Sequence, residues 1–265
     1  MDIVSHFGGK LLPYEKRLGM AYFVDGVSGS DGKSGTSWAT AKETIGAALA
    51  LCSPNANDYV FVRKGDYEEA VLVDVDGVHI IGMGAAFCKM TNTSGDMVFD
   101  VKSDAVEISG FTIDLTKACY GIHSNVTINH CRFHDNVILG EKVFGIVLGQ
   151  GSSYNLVDNN RMITSGHNIY LSGDETAQGN VIRDNLLLKG KYGVYLCGAS
   201  NVYNQYHVIK NNVISNHSSV GAVGINLTSA GVRYNTVASN ALCGNFKHIK
   251  DSGTGNHLAG NIESA

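Results

Sequence analysis

Val157–Met162 (VDNNRM), Ile182–Leu187 (IRDNLL) and Ile209–Ile214 (IKNNVI) share one pattern: apolar, two variable residues, asparagine, one variable residue, apolar. Upstream it continues as Ile128–Phe133 (INHCRF), Ile108–Ile113 (ISGFTI) and a weaker Ile80–Ala85 (IIGMGA). Downstream it continues as Val232–Val237 (VRYNTV) and a degraded Leu258–Glu263 (LAGNIE). The fourth positions are Met83, Phe111, Cys131, Asn160, Asn185, Asn212, Asn235 and Asn261, spaced about 25 residues apart on average. A period of that length is the mark of a repeat architecture.

A second row runs in parallel: Gly121-Ile-His-Ser, Gly145-Ile-Val-Leu, Asn168-Ile-Tyr-Leu, Gly193-Val-Tyr-Leu and Gly224-Ile-Asn-Leu. Its period of two reads as strands with one buried face. Polar stretches such as 172–180 and 198–206 separate the rows and read as loops. Short strands with no helix between them make one coil of a β-solenoid, with coils stacked at roughly 4.8 Å. The pattern therefore predicts an all-β fold, a right-handed parallel β-helix of about eight coils over 59–265. The column Asn160, Asn185, Asn212, Asn235 and Asn261 then sits at one corner of successive coils. There each amide donates to one neighbour and accepts from the other.

Composition agrees. Hydrophobic residues make up 44% of the 265 residues and charged residues only 17%, which describes a folded core and not a disordered chain. The 32 glycines suit turns, and only 2 prolines interrupt backbone ladders. A net charge of −4 without a run of Lys or Arg argues against a nucleic-acid partner. No apolar stretch approaches the roughly 18 residues of a membrane helix, so no membrane insertion is expected. The first nineteen residues lack the basic-then-apolar order of a secretion signal. The six cysteines contain no CxxC pair and read as small buried hydrophobes in a reducing compartment.

An open solenoid end needs a cover. Thr40-Ala-Lys-Glu43 reads as a capping box. It opens a predicted helix over about 41–52, with Ile45, Ala48, Leu49 and Cys52 on one face. Asn55–Asp58 ends it, and Tyr59–Val62 reads as the first strand. Residues 20–58 thus form a capping segment. Residues 1–19 fall outside the repeat, and Phe7, Leu11, Leu12 and Tyr14 make them a candidate attachment arm.

These repeats resemble the pectate-lyase-like right-handed β-helix superfamily. The segment 22–45 (YFVDGVSGSDGKSGTSWATAKETI) is similar to an opening module common among β-helix proteins of bacteria and phages. The resemblance covers about residues 22–261. It implies the fold, and it implies lyases, hydrolases, epimerases or non-catalytic spikes, since one fold hosts many functions.

Candidate sites are sparse. Polygalacturonase-like signatures are absent, and Asp114, Asp135, Asp158, Asp174, Glu175 and Asp184 share no single column. Asp174-Glu175 reads as a solvated loop. His130 and His134, four apart on a strand, are about 13 Å apart and too distant to share an ion. Asp25–Gly32 and Asp74–Gly77 read as turns and not calcium loops. No catalytic residue, metal site or cofactor is therefore expected. One feature remains, an outward stripe of His123, Val147, Tyr170, Tyr195 and Asn226, readable as tyrosines ordinary on exposed strands, as a subunit interface or as a sugar platform. The favoured expectation is a non-enzymatic bacteriophage virion protein: capsid decoration, head fibre or tail spike. It would be homotrimeric, attached to other virion proteins through residues 1–19, and in contact with a cell-surface glycan at most. The alternative is a polysaccharide lyase or glycoside hydrolase.

Overall fold

A computed structural model describes residues 19–92, 96–141, 143–199 and 201–264. The candidate arm with Phe7, Leu11, Leu12 and Tyr14 lies outside the described residues. Among the described residues three parallel sheets run side by side along a rod, and eight coils contribute one short strand to each. The first sheet has ten strands, from Ala21–Val24 to His257–Ala259. The second has nine, from Gly65–Glu68 to Ile262–Ser264, and the third has eight, from Val71–Val73 to Lys247–Asp251. A three-stranded sheet (Ala177–Gln178, Asn204–Gln205, Val232–Arg233) forms within the longer turns. No described helix is long and apolar enough to cross a membrane.

Register is kept in phase along the rod. In the first sheet Ile80, Ile108, Phe133, Val157, Ile182, Ile209, Val237 and Leu258 stand one above another. All but Leu258 are fully buried. Such side chains contribute about 1.5–3 kcal/mol each, and together they form one continuous core.

Two corners flank the first sheet, and both use the same device. A residue with left-handed backbone turns the chain, and the next residue points an amide inward. After the first sheet the left-handed residues are Gly110, Asp135, Asn159, Asp184, Asn211, Ser239 and Gly260. From Asp135 onward, the residues that follow them are Asn136, Asn160, Asn185, Asn212, Asn240 and Asn261. Each Oδ1 accepts the backbone N–H of its counterpart one coil earlier, at 2.9–3.1 Å. Before the first sheet, His130, Tyr154, Gly179, Tyr206, Tyr234 and Gly255 are left-handed. There a second ladder runs from Cys131 through Asn155, Asn180, His207 and Asn235 to Asn256. The single expected column is thus corrected to two. Asn235 bonds His207 and Asn256, so it belongs to the earlier corner, and Asn240 takes its place in the later one. The apolar-x-x-slot-x-apolar pattern can form at either corner, and Ile128–Phe133 and Val232–Val237 carry it at the earlier one, their slots Cys131 and Asn235 lying five residues before Asn136 and Asn240.

The predicted 41–52 helix is also corrected. Ala41 and Lys42 cannot be helical because Lys42 pairs as a strand with Val24. A 3-10 turn, Trp38–Thr40, is followed by a five-residue helix, Ile45–Leu49, whose N-cap is Thr44 and not Thr40. Carboxylates distant in sequence hold its start. Asp31 accepts from the N–H groups of Glu43 and Thr44, and Glu69 from those of Ile45 and Gly46. Ile45, Ala48 and Leu49 are buried in the same core, so this short helix still covers the first coil.

Asn185 shows what the ladder contributes. Its amide donates to Val157 O, Arg183 O and Asn212 Oδ1, while its Oδ1 accepts from Asn160 N. Replacing it with alanine orphans buried groups on both neighbouring coils. Each orphan costs about 1–3 kcal/mol, so Asn185→Ala is expected to lower the denaturant midpoint sharply without changing the far-UV spectrum.

His207 stands in for an asparagine. Its Nδ1 accepts from Asn180 N at 3.0 Å, so the ring is neutral and Nε2–H donates to Asn204 Oδ1. Burial pushes its pKa down to about 3 from 6.5, and that of His217 to about 4. A depressed folded-state pKa means that this stability is complete above about 6.5 and is lost as pH falls towards 3–4. Melting temperature should therefore decline below pH 6.5, and His207→Asn should flatten that decline. An acid limb as steep in His207→Asn as in the wild type would count against this account.

Candidate functional site

The outward face of the third sheet carries two columns of side chains. His123, Val147, Tyr170, Tyr195 and Asn226 stand in register on successive strands. Three residues earlier on the same strands stand Tyr120, Phe144, His167, Tyr192 and Val223. Residues three apart share this face because each strand bends at a buried residue between them. At Gly121 a Cβ would stand 2.6 Å from the carbonyl oxygen of Gly145, so the coils approach too closely there for a side chain. Sequence reading at period two found the first column and missed the second.

The rings of the two columns pack on one another. Centroid separations are 5.2 Å for Tyr120–Phe144, 4.6 Å for Phe144–His167, 4.8 Å for His167–Tyr192 and 4.7 Å for Tyr192–Tyr195. Tyr170 and Tyr195 stack at 5.2 Å with 23° between their planes. Such pairs contribute about 0.5–1.5 kcal/mol beyond their buried area. Tyr170 and Tyr195 thus turn one ring face to each other. The expectation of a uniformly exposed stripe is corrected at two positions: Val147 is only 5% exposed and Asn226 3%. His123, Tyr170 and Tyr195 are half-buried.

Val147 interrupts the stack. Its short side chain lies between His123 and Tyr170 and opens a pocket of about 180 Å³. Tyr120 and Phe144 line the pocket from the strand starts, and Asn125 and Gln150 from the loops that follow the strands. His123 Nδ1 lies 3.7 Å from Asp100 Oδ1, which lies 2.9 Å from Lys102 Nζ. Burial lowers the His123 pKa against the pull of Asp100, and it pushes His167 down to about 4. Burial also raises Tyr170 and pushes Tyr195 up to about 12. These four rings are therefore uncharged at neutral pH.

The remaining candidates resolve into structural roles. Asp174 accepts from Gln150 and Ser172, and Glu175 from Thr127, so this acid pair ties loops together. Asp25 caps Val27 and Ser28 and pairs with Arg63, and Asp76 caps Asp104. Both segments are turns. Cys88 and Cys131 are buried in the core, whereas Cys119 and Cys243 are exposed, so the all-buried expectation holds for only part of the set.

On the first sheet, His79, Glu107 and His134 form a chain of hydrogen bonds. Glu107 Oε1 meets His134 Nε2 at 2.6 Å, and its Oε2 meets His79 Nδ1. The outer ring nitrogens are taken by Asn57 and Asp135. The imidazoles of His134 and His79 hold the Glu107 pKa well below the usual carboxylate range. Burial works against the His134 cation, but hydrogen bonds to Glu107 and Asp135 outweigh it and raise its pKa.

Solved structures share this fold at low identity. The alginate lyase from Paenibacillus sp. str. FPU-7 is 18% identical, with a TM-score of 0.54 over 83% of this chain and 95% of its own. The Yersinia enterocolitica family 28 exopolygalacturonase is 12% identical, with a TM-score of 0.58 over 92% and 66%. The tailspike protein gp49 from the Acinetobacter baumannii bacteriophage Fri1, a capsular polysaccharide depolymerase, is 10% identical, with a TM-score of 0.54 over 78% and 56%. No curated protein matches the chain.

One family model, described as periplasmic copper-binding protein (NosD), matches residues 66–261. This overturns the expected virion location and the reducing compartment that went with it: a periplasmic family points to the periplasm or the cell exterior. Copper itself does not fit the described residues. No group of three His, Cys, Asp or Glu side chains among them converges on one point, and both ring nitrogens of His79 and His134 already hold hydrogen bonds. With about three quarters of its length matched, the chain belongs to the family of the periplasmic copper-binding protein NosD.

Proposed function

We propose that this protein works outside the cytoplasm as a glycan-binding β-helix, and that it holds its ligand on the aromatic face of the third sheet. The observation that carries the reading is the pocket over Val147: aromatic walls, an amide-bearing mouth and no net charge among its rings. Carbohydrates offer apolar C–H faces and hydroxyl edges, and that division matches the pocket's own. The fold is shared with an alginate lyase, an exopolygalacturonase and a polysaccharide-depolymerising tailspike, which is consistent with such a ligand.

Binding is favoured over cleavage. Hydrolysis of a glycosidic bond requires two carboxyl groups facing one another across a sugar, about 5–10 Å apart. The pocket lining contains no acid. Asp100 sits behind His123 and is held by Lys102.

Glycan-array screening with affinity electrophoresis tests the proposal. The wild type should be retarded by at least one bacterial or plant polysaccharide, and Tyr170→Ala should lose at least tenfold of that retention while keeping a cooperative melt. Retention unchanged in Tyr170→Ala would move the ligand off this face. A separate measurement concerns copper. Titration with Cu(II) or Cu(I), followed by calorimetry, should show no stoichiometric site tighter than micromolar. A one-to-one complex of nanomolar affinity would contradict the side-chain arrangement described above.

A further inference from the structure

We propose that the pocket over Val147 is a slot for one pyranose ring, gripped on both faces between His123 and Tyr170. The protein would then take a terminal or side-branch sugar, not the middle of a chain lying along the rod. This rests on the glycan-binding reading and narrows it.

Neighbouring strands lie roughly 4.8 Å apart, so side chains two strands apart stand about 9.6 Å from each other. His123 and Tyr170 are two strands apart, with Val147 between them. A ring placed midway would lie about 4.8 Å from each, close to the 5.2 Å at which Tyr170 already stacks on Tyr195. From Tyr120 to Tyr192 the neighbouring column has a ring on every coil. At Val147 one ring is missing from its own column, and the pocket occupies that place.

Size and chemistry select the occupant. About 180 Å³ is well below the roughly 300 Å³ at which pockets for drug-sized ligands begin, which suits one ring better than two. Tyr120, His123, Phe144 and Tyr170 line it with rings, and ring faces suit the C–H faces of a sugar. The mouth is polar and mixed. Asn125 receives the Lys102 ammonium on its Oδ1, which leaves its N–H groups as donors. Gln150 donates through Nε2 to Asp174, which leaves its Oε1 as an acceptor. A donor and an acceptor side by side suit adjacent hydroxyls, and a plain aromatic ligand would leave both without partners.

Orientation limits the polymer. Tyr170 stacks on Tyr195 of the next strand along the rod, so a sugar stacked on the opposite face of Tyr170 extends that stack and takes up a similar plane. An equatorial glycosidic bond then leaves sideways from the stack and not along it. Beyond Tyr170 the column continues as Tyr195, already stacked, so no second slot lies next to the first.

The experiment compares wild type, Val147→Phe and Gln150→Ala. Each is titrated with the methyl glycosides of glucose, galactose, N-acetylglucosamine and galacturonic acid, and with the oligosaccharide best retained on the array. Binding is read by saturation-transfer NMR and calorimetry. At least one methyl glycoside should bind within tenfold of the oligosaccharide that ends in the same sugar. Val147→Phe, whose phenyl ring fills the slot, should lose at least tenfold affinity. Gln150→Ala, a change at a half-buried loop position outside the core, should lose threefold or more and decides the matter if Val147→Phe folds poorly. Wild-type affinity in both variants, or affinity that grows with chain length while every methyl glycoside fails, would overturn the slot and leave the glycan-binding reading standing. A wild type that binds no glycan at all overturns both.

Discussion

The rod depends on one bond repeated at its corners: a backbone N–H of one coil donated to a side-chain acceptor of the next, an asparagine oxygen at every rung but that of His207. A parallel β-helix has to turn its chain sharply several times in each coil, and each sharp turn takes backbone groups away from the sheet ladders. Left-handed residues make the turns, at a local cost of order 1 kcal/mol for a non-glycine residue. Inward-pointing amides then recover the hydrogen bonds, both for the backbone and for themselves. The sheets stay in register from Val60 to Val237 because the corners do not slip. Without that register, inward isoleucines and outward aromatics would not form columns at all.

The fold was legible because this constraint writes itself into the sequence. An asparagine flanked by apolar residues at fixed offsets, once per coil, suits a stacked corner and little else, and Asn160, Asn185 and Asn212 display it most cleanly. The ambiguity at Asn235 is equally physical. Both corners impose the same local pattern, so nothing short of the pairing distinguishes Asn235 from Asn240. The helix differs for another reason. Thr40-Ala-Lys-Glu43 satisfies the local rules for a cap, but Lys42 is claimed by a strand pairing with Val24, and distant acids, Asp31 and Glu69, cap the real helix. Tertiary partners overrode a local signal.

The candidate site was half legible. The row Ile122-His123, Ile146-Val147, Ile169-Tyr170 alternates as a strand should, and that exposed one column. The second column is offset by three residues because the chain bends at Gly121 and its counterparts, and a period-two reading skips it. By residue type alone, Val147 is the weakest member of the stripe. In the fold it is the member that matters, because a short side chain amid rings makes a recess. The location was not legible at all. Nothing in a β-helix coil records the compartment in which it works, and only family membership corrected it.

The place of the recess within the rod sets how firmly it is held. A coil stacked on both sides can open only by breaking its ladders to both neighbours, so it opens less often than a coil paired on one side. The recess over Val147 is made by strands Tyr120–His123 to His167–Leu171, with two strands before them and three after them in the same sheet. Amide protons around it should therefore exchange among the slowest of the described residues, and the ligand face keeps its shape through local openings elsewhere.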